Sequence, residues 1–515
     1  MSQKFTSTIA GASIFISLIG VLSRGFGFIR EMIFANNFGL ETDFDLYLVG
    51  AVLPITISTI ILYIGQNYFV PGFQKLNSTD KEAASKFYRD SFIIFVGSAF
   101  ILSIVLFLAS DLIIKLYIGQ ASVKSIMLAT NIFKIFIITI PFSAAVSIFS
   151  ALQQAVYEFK YPAISILFLN ISLIILLLLF SSKIGVYIIP IGYVTGTIFQ
   201  FIYLFIKSTK ILKLELRTHI NKSVKIKSLF ESSIITIIII EAVSQLYTIS
   251  DRYFYSQVTS GGIASLNYAY IIYYLPISII SISLATAIFP KITDAIISSN
   301  VEEIEKIFID NATINIIIFM PLTFLLVYFG DTFLKIAFER GKFIQESTNI
   351  TFGALKFYAV SLIFYSTYSV LNKIFYSLNF IKMLLLLTCL GILLKLVMNF
   401  ILVRDLQQYG LALSTSISYI FFFSASYLIL GSKLKIRNKY IFIKELLICL
   451  SNAVISLLLV NIFGEVIFLK GLPGDILSII LFLGLYSVNL IFMKHKTINI
   501  FYGIVQKFIP IKSSS

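Results

Sequence analysis

The sequence predicts an all-α polytopic membrane protein with about fourteen transmembrane helices. Three observations lead there. Hydrophobic residues make up 58% of the 515 positions and charged ones only 13%, against about 25% charged in a soluble domain. The apolar runs are continuous rather than alternating with period two, which excludes a barrel of strands. The cations behind the net charge of +15 gather in short connectors between those runs, so the charge reads as membrane orientation and not as a nucleic-acid surface.

A crossing helix needs about 20 mainly apolar residues. Spans of that kind fall near 8–33, 44–72, 91–110, 126–155, 163–182, 185–206, 230–256, 264–289, 311–329, 351–377, 383–403, 410–430, 443–463 and 475–493. The first is too long for a cleavable leader, contains arginines and lacks a small-residue cleavage site, so it is expected to stay as a span. Pro54, Pro141, Pro190, Pro276 and Pro321 lie inside spans, where proline removes a backbone hydrogen bond and bends the helix. Pro54 and Pro276 are the candidate hinges.

The basic connectors "KSTKILKLELRTHINKSVKIK" (207–227) and "SKLKIRNKY" (432–440) and the tail around "MKHK" (493–496) share one side under an even span count. The acidic "ETDFD" (41–45) begins the other side. Both termini are therefore expected in the cytoplasm, although the acidic connector 291–310 runs against the trend. Cys389 and Cys449 sit in apolar runs, and His219 and His495 in basic connectors; no metal spacing or disulfide framework results.

An internal repeat is visible. "REMIFANNFGLETDFDLYLVGAVLPITIS" (30–58) aligns with "RYFYSQVTSGGIASLNYAYIIYYLPISII" (252–280), so that Arg30 and Arg252 each precede a proline, Pro54 or Pro276, by the same interval. The same offset lays "FKIFIITIPF" (133–142) on "LKFYAVSLIF" (355–364), and a slightly longer one takes "GVYIIPIGYV" (185–194) to "GLALSTSISY" (410–419). Six spans per copy make the copies parallel. The expected division is an N-terminal lobe 1–220, a C-terminal lobe 221–440, and two additional helices with a tail, 441–515. Transporters built from such halves bind substrate near the midplane.

Charge inside a span is expensive and marks function by default. Arg24 and Arg30 are six residues apart, about 9 Å along a helix, and Glu31 returns to the face of Arg24. Gly25 and Gly27 between them permit a bend. Guanidinium groups suit a diphosphate, because the planar fork donates paired hydrogen bonds and stays charged. The plainer reading ends the span at Arg30 and Glu31, with Arg24 paired to Glu31. Asp251 and Arg252 form either a second cationic element, a structural ion pair or a helix end. Glu241 and Lys395 are further intramembrane ionisable residues. Tyr268, Tyr270, Tyr273 and Tyr274 crowd one helix and would stack on sugars, anchor at the interface or pack. "DFD" (43–45) looks superficially like a metal-binding pair for a nucleotide sugar, but it falls on the expected outer side, where none is present.

"LSRGFGFIREMIFANNFG", "TDFDLYLVGAVLP" and "YFVPGF" resemble the opening of the MurJ/MviN-type lipid flippases of the multidrug/oligosaccharidyl-lipid/polysaccharide exporter superfamily. The resemblance continues through "ALQQAVYEFKYPAISILFLN" (151–170), "GGIASLNYAYIIYYLPISI" (261–279), "AIFPKIT" (287–293), "FERGKF" (338–343) and "GLALSTS" (410–416). It implies a cavity between two six-helix lobes, a groove for a polyprenyl tail, and alternating access that carries lipid II to the outer leaflet of the bacterial plasma (inner) membrane. It implies no enzymatic activity. Arg24, Arg30 and Glu31 match cavity residues of the family, and Asp43 matches its acidic residue opening the second span.

Two family arginines are missing: "LPITISTIILYIGQ" (53–66) is uncharged, and Ile271 stands where the eighth span usually carries one. Another lipid-linked oligosaccharide, or a drug or cation antiport activity, is the competing expectation, with Arg252 as a compensating cation. Some relatives bind sodium, and Asp251, Asn399 and Thr415 fall near the matching places. Na+ or the membrane potential is thus the implied driving force. Membrane lipids and cell-envelope synthesis proteins are the implied partners besides the cargo.

Overall fold

The computed structural model describes residues 9–215, 232–298, 300–434, 440–466 and 471–492. His219, His495, the tail at 493–496 and most of the two basic connectors lie outside the described residues. Among the described residues the chain is helical, with one isolated antiparallel bridge between Arg340 and Phe343.

The helices are α1 (Ile9–Phe38), α2 (Thr42–Ile64), a π turn (Gly65–Phe69), α3 (Val70–Asn77), α4 (Lys81–Leu108), α5 (Ser110–Ile118), α6 (Val123–Ile137), α7 (Thr139–Ala155), α8 (Lys160–Ile184), α9 (Ile188–Glu215) and α10 (Ser232–Tyr253). There follow α11 (Gly262–Pro276), a second π turn (Ile277–Ser281), α12 (Ile282–Ile297), α13 (Val301–Tyr328), α14 (Gly330–Phe338), α15 (Gln345–Ala359), α16 (Leu362–Ser377), α17 (Ile381–Leu406), α18 (Gln408–Lys433), α19 (Ile441–Val466) and α20 (Leu472–Phe492). Each expected span falls on a helical segment.

Ten stretches of the described residues are long and apolar enough to cross a membrane, or eleven if α15 and α16, bent by 48°, form one span. One of the ten, Lys160–Thr209, runs through a turn at Gly185 and comprises α8 and most of α9. The expected fourteen is compatible with this count. The protein is a multi-pass membrane protein, and its apolar exposure agrees. Phe100, Ile101, Ile104, Val105 and Leu108 of α4 all face outward, as a helix bathed in lipid requires.

Local chemistry sets several boundaries. Asp80 caps α4 by accepting the N–H groups of Glu82 and Ala83, Ser122 caps α6 through Ser125, and Asn300 caps α13 through Glu303. Pro141 and Pro190 do not bend mid-span helices. They stand in the first turns of α7 and α9, where no intrahelical bond is lost. Pro54 lies inside α2, and Pro276 ends α11 directly before the second π turn.

The chain forms two compact units. The first is Met1–Ser265 with Phe338–Ser347 and Val403–Gln408; the second is Leu266–Ala337, Thr348–Leu402 and Tyr409–Ser515. In the first, Leu46, Val49, Ile114, Phe133, Ile137 and Ile140 form one apolar core, and Phe69, Phe73, Phe87, Ile148 and Leu152 another. In the second, Phe482 packs on Phe324, Asn452 donates to the Tyr486 carbonyl at 3.0 Å, and Thr332 to Asp475 at 3.2 Å.

Both copies of the repeat turn the same corners. Left-handed backbone occurs at Gly39 and Gly261, at Tyr157 and Asn379, and at Gly185 and Gln407, with φ between 50° and 77°. The members of each pair are separated by the offset that aligns Arg30 with Arg252. Helix lengths repeat too: α4 and α13 each have 28 residues, and α6 and α15 each have 15.

Candidate functional site

The charges of α1 build the site in the first unit. The helix continues unbroken through Gly25 and Gly27, and a Cβ on either glycine would meet no atom within 4 Å. Arg24 is exposed, and Arg30 is largely buried with a side chain 17% accessible. Arg30 Nη2 donates to Glu31 Oε1 at 2.6 Å, and Nη1 donates to Asn170 Oδ1 of α8 at 3.1 Å. Its guanidinium carbon lies over the Phe34 ring, 5.6 Å from its centre, and over that of Tyr193 at 5.7 Å, so both aromatic faces attract the cation. The buried Nε has no partner among the described residues. Glu31 thus binds its chain neighbour Arg30. The site keeps one cation fixed and charged, its enclosed Nε without a hydrogen-bond partner among the described residues, and a second, exposed cation on the same helix.

Asn170 is not among the site residues expected from the sequence. An amide in the apolar run of α8 is the signal that points to it, since polar groups in spans need partners. Its Nδ2 donates to the Ser23 carbonyl at 3.4 Å, which ties α8 to α1 just before Arg24.

The acidic opening of α2 divides its roles. Asp43 is exposed. Asp45 is fully buried and accepts the N–H groups of Gly261 at 2.7 Å and Ala264 at 2.6 Å, so it caps the first turn of α11. Arg252, buried at the end of α10, is within electrostatic reach of Asp45. Asp251 beside it is half-buried. The structure therefore brings Arg30 together with Glu31, and Arg252 together with Asp45.

At the end of α1 a turn from the later sequence docks. Lys342 N–H donates to the Asn36 carbonyl at 2.9 Å, and Lys342 Nζ meets Glu41 at 2.8 Å. Gly39 and Gly341 both have positive φ, and a Cβ on either would strike backbone, at Lys342 and Asn36 respectively. Only glycine fits this close approach.

In the second unit Tyr268 and Tyr273 are fully buried, and Tyr273 Oη shares a 2.8 Å hydrogen bond with Ser361. These two pack the core. Tyr270 and Tyr274 are half-buried and stacked on one another, with Tyr365 beside Tyr274. Asn399 is buried and accepts from Ser414, while Thr415 donates to the Leu411 carbonyl at 3.1 Å. Lys395 is buried one turn before Asn399. Among the described residues no group of three or more His, Cys, Asp or Glu is placed to hold a metal. In the first unit, Glu241 accepts from Gln245, four residues on, at 2.7 Å.

A family model described as lipid II flippase MurJ matches residues 34–513. The chain belongs to the MurJ family. A probable lipid II flippase MurJ of Borreliella burgdorferi is 26% identical over 463 residues, covering 87% of each chain. That of Buchnera aphidicola subsp. Schizaphis graminum is 30% identical over 450 residues, covering 84% of this chain and 86% of the relative. A solved lipid II flippase MurJ in an inward closed conformation superposes with a TM-score of 0.77 at 23% identity, covering 93% of this chain and 99% of that one. An inward-facing multidrug resistance MATE transporter of the MOP superfamily gives 0.66 at 14% identity, covering 80% and 94%. The MurJ fold is thus matched over nearly the whole chain. Arg24, Arg30 and Glu31 lie just before the residues that the family model matches, so their assignment rests on the geometry of α1.

Proposed function

We propose that this chain is a flippase that moves lipid II, a polyprenyl-diphosphate-linked saccharide, from the cytoplasmic to the outer leaflet of the plasma membrane without covalent chemistry. Membership of the MurJ family carries the reading. The geometry of α1 supports it: Arg30 is held by Asn170, Glu31 and two rings, and Arg24 is exposed on the same helix. Two guanidinium groups offer a diphosphate more donors than a lysine pair would, and neither deprotonates. Both termini face the cytoplasm in this reading, and the hinges are Pro54 and Pro276. Na+ or the membrane potential supplies the drive, with Asp251, Asn399 and Thr415 as the residues to test for a cation.

The test is rescue of cells depleted of their essential lipid II transporter, together with flipping assays in reconstituted vesicles. Growth and flipping are expected from the wild type. A folded, membrane-inserted protein that neither rescues nor flips lipid II overturns the proposal.

A further inference from the structure

A pocket of about 410 Å³ lies in the first unit beside the Arg30 site, within the roughly 300–1,000 Å³ typical of small-molecule sites. Its polar wall is made of amides and hydroxyls: Gln66, Gln154 and Gln200, with Ser23, Ser150 and Ser165. Among the described residues, no charged side chain lines it.

The backbone shapes this wall. Gln66 is carried by the π turn that follows α2, an irregularity that recurs at functional sites. The Ile61 carbonyl takes the Gly65 N–H and, as a second donor, the Ser147 hydroxyl of α7 at 2.9 Å. Gly65 makes the contact possible, since a Cβ there would collide with the Ser147 hydroxyl. From α9 and α8, Gln200 Nε2 donates to Ser165 Oγ at 3.2 Å, which fixes the Gln200 amide and leaves its carbonyl oxygen to accept. Asn170 joins the pocket to the cationic site, because its Oδ1 takes Arg30 and its Nδ2 takes the carbonyl of Ser23 in the pocket wall.

Chemistry narrows the occupant. An anion would find no cation in the wall, and a purely apolar ligand would cover the Gln66 and Gln154 amides and the Gln200 carbonyl oxygen without offering them hydrogen bonds. Each amide offers both donors and an acceptor, the complement of ring hydroxyls and acetamido groups. Phe159 adds an apolar face for a sugar ring. We propose that this pocket binds a neutral, N-acetylated sugar residue of the cargo while the diphosphate lies at Arg24 and Arg30. The proposal rests on the flippase reading and adds to it a place for the saccharide.

The experiment measures binding of two probes to the full-length protein in nanodiscs: undecaprenyl diphosphate, and the same lipid bearing an N-acetylhexosamine disaccharide. Gln66→Leu and Gln154→Leu keep side-chain volume and remove the amides. Each is expected to weaken binding of the sugar-bearing lipid about tenfold, the worth of one hydrogen bond to a ligand, with binding of the sugar-free lipid and the melting temperature unchanged. Equal weakening for both lipids, or no weakening for either, overturns the sugar pocket and leaves the flippase reading in place. Wild-type protein that binds neither lipid overturns both.

Discussion

Asp45 and Ala264 are joined by a 2.6 Å hydrogen bond from the Ala264 N–H to a carboxylate buried in the first unit, whose other oxygen takes the Gly261 N–H. A side chain of one helix thus serves as the cap of another 216 and more residues away in sequence. Asp45→Ala leaves two buried donors without acceptors and is expected to cost about 3 kcal/mol. Asp45→Asn keeps one acceptor and should lose less. Denaturant or thermal unfolding of the purified variants checks this, and an Asp45→Ala protein as stable as wild type refutes it.

Arg30 and Arg24 should separate when mutated. Arg24 is exposed, so Arg24→Ala is expected to shift stability by less than about 0.5 kcal/mol while lowering flipping at least tenfold. Arg30→Ala should lower flipping as far and also destabilise by about 2 kcal/mol, because it strands Glu31 and Asn170. Vesicle flipping assays paired with melting curves read both quantities. Normal flipping by both variants would remove α1 from the substrate site.

The glycines around the end of α1 give a third contrast. Gly39→Ala and Gly341→Ala each force a left-handed residue to carry a Cβ against backbone, and each is expected to cost about 2 kcal/mol or more. Gly25→Ala meets open space in a helix and should stabilise by up to about 1 kcal/mol. Melting temperatures decide, with the opposite order as the refuting result.

The Glu41–Lys342 ion pair is the small-effect case. Its side chains are 47% and 54% exposed, so Glu41→Gln should change stability by less than about 1 kcal/mol, and less still at high salt. A loss of several kcal/mol, measured by chemical unfolding, would show that the pair is desolvated and central to the turn.

Much of this architecture is legible in the sequence because long apolar runs and proline spacing are local signals. Span 126–155 breaks at Ile138, where Pro141 three residues on marks the start of α7, but span 351–377 breaks before Leu362 with no glycine or proline to announce it. The nine-residue helices α5 and α14 are too short for a span-length window. Arg30 stands out locally as a cation in an apolar run, yet its partner Asn170 is 140 residues away, and no local pattern connects the two. Asp45 escapes for the same reason: "DFD" shows two carboxylates, and only the arrival of α11 distinguishes the one that is buried. The tyrosines of α11 divide by helical face, which their crowding in sequence conceals.

The three pairs of left-handed corners carry a lesson about inheritance. Glycine holds both members at 39 and 261, but in repeat position Tyr157 corresponds to Asn379, and Gly185 to Gln407. Bulky L-residues accept a posture that costs about 1 kcal/mol or more so that the chain can change direction at the same station in each half. What has persisted through divergence is the route of the main chain, while the tenants of its bends were free to change. Exchange of the short corner peptides around Tyr157 and Asn379 should therefore leave the melting temperature nearly unchanged, whereas Gly185→Gln, at a position where ψ is −145°, should lower it.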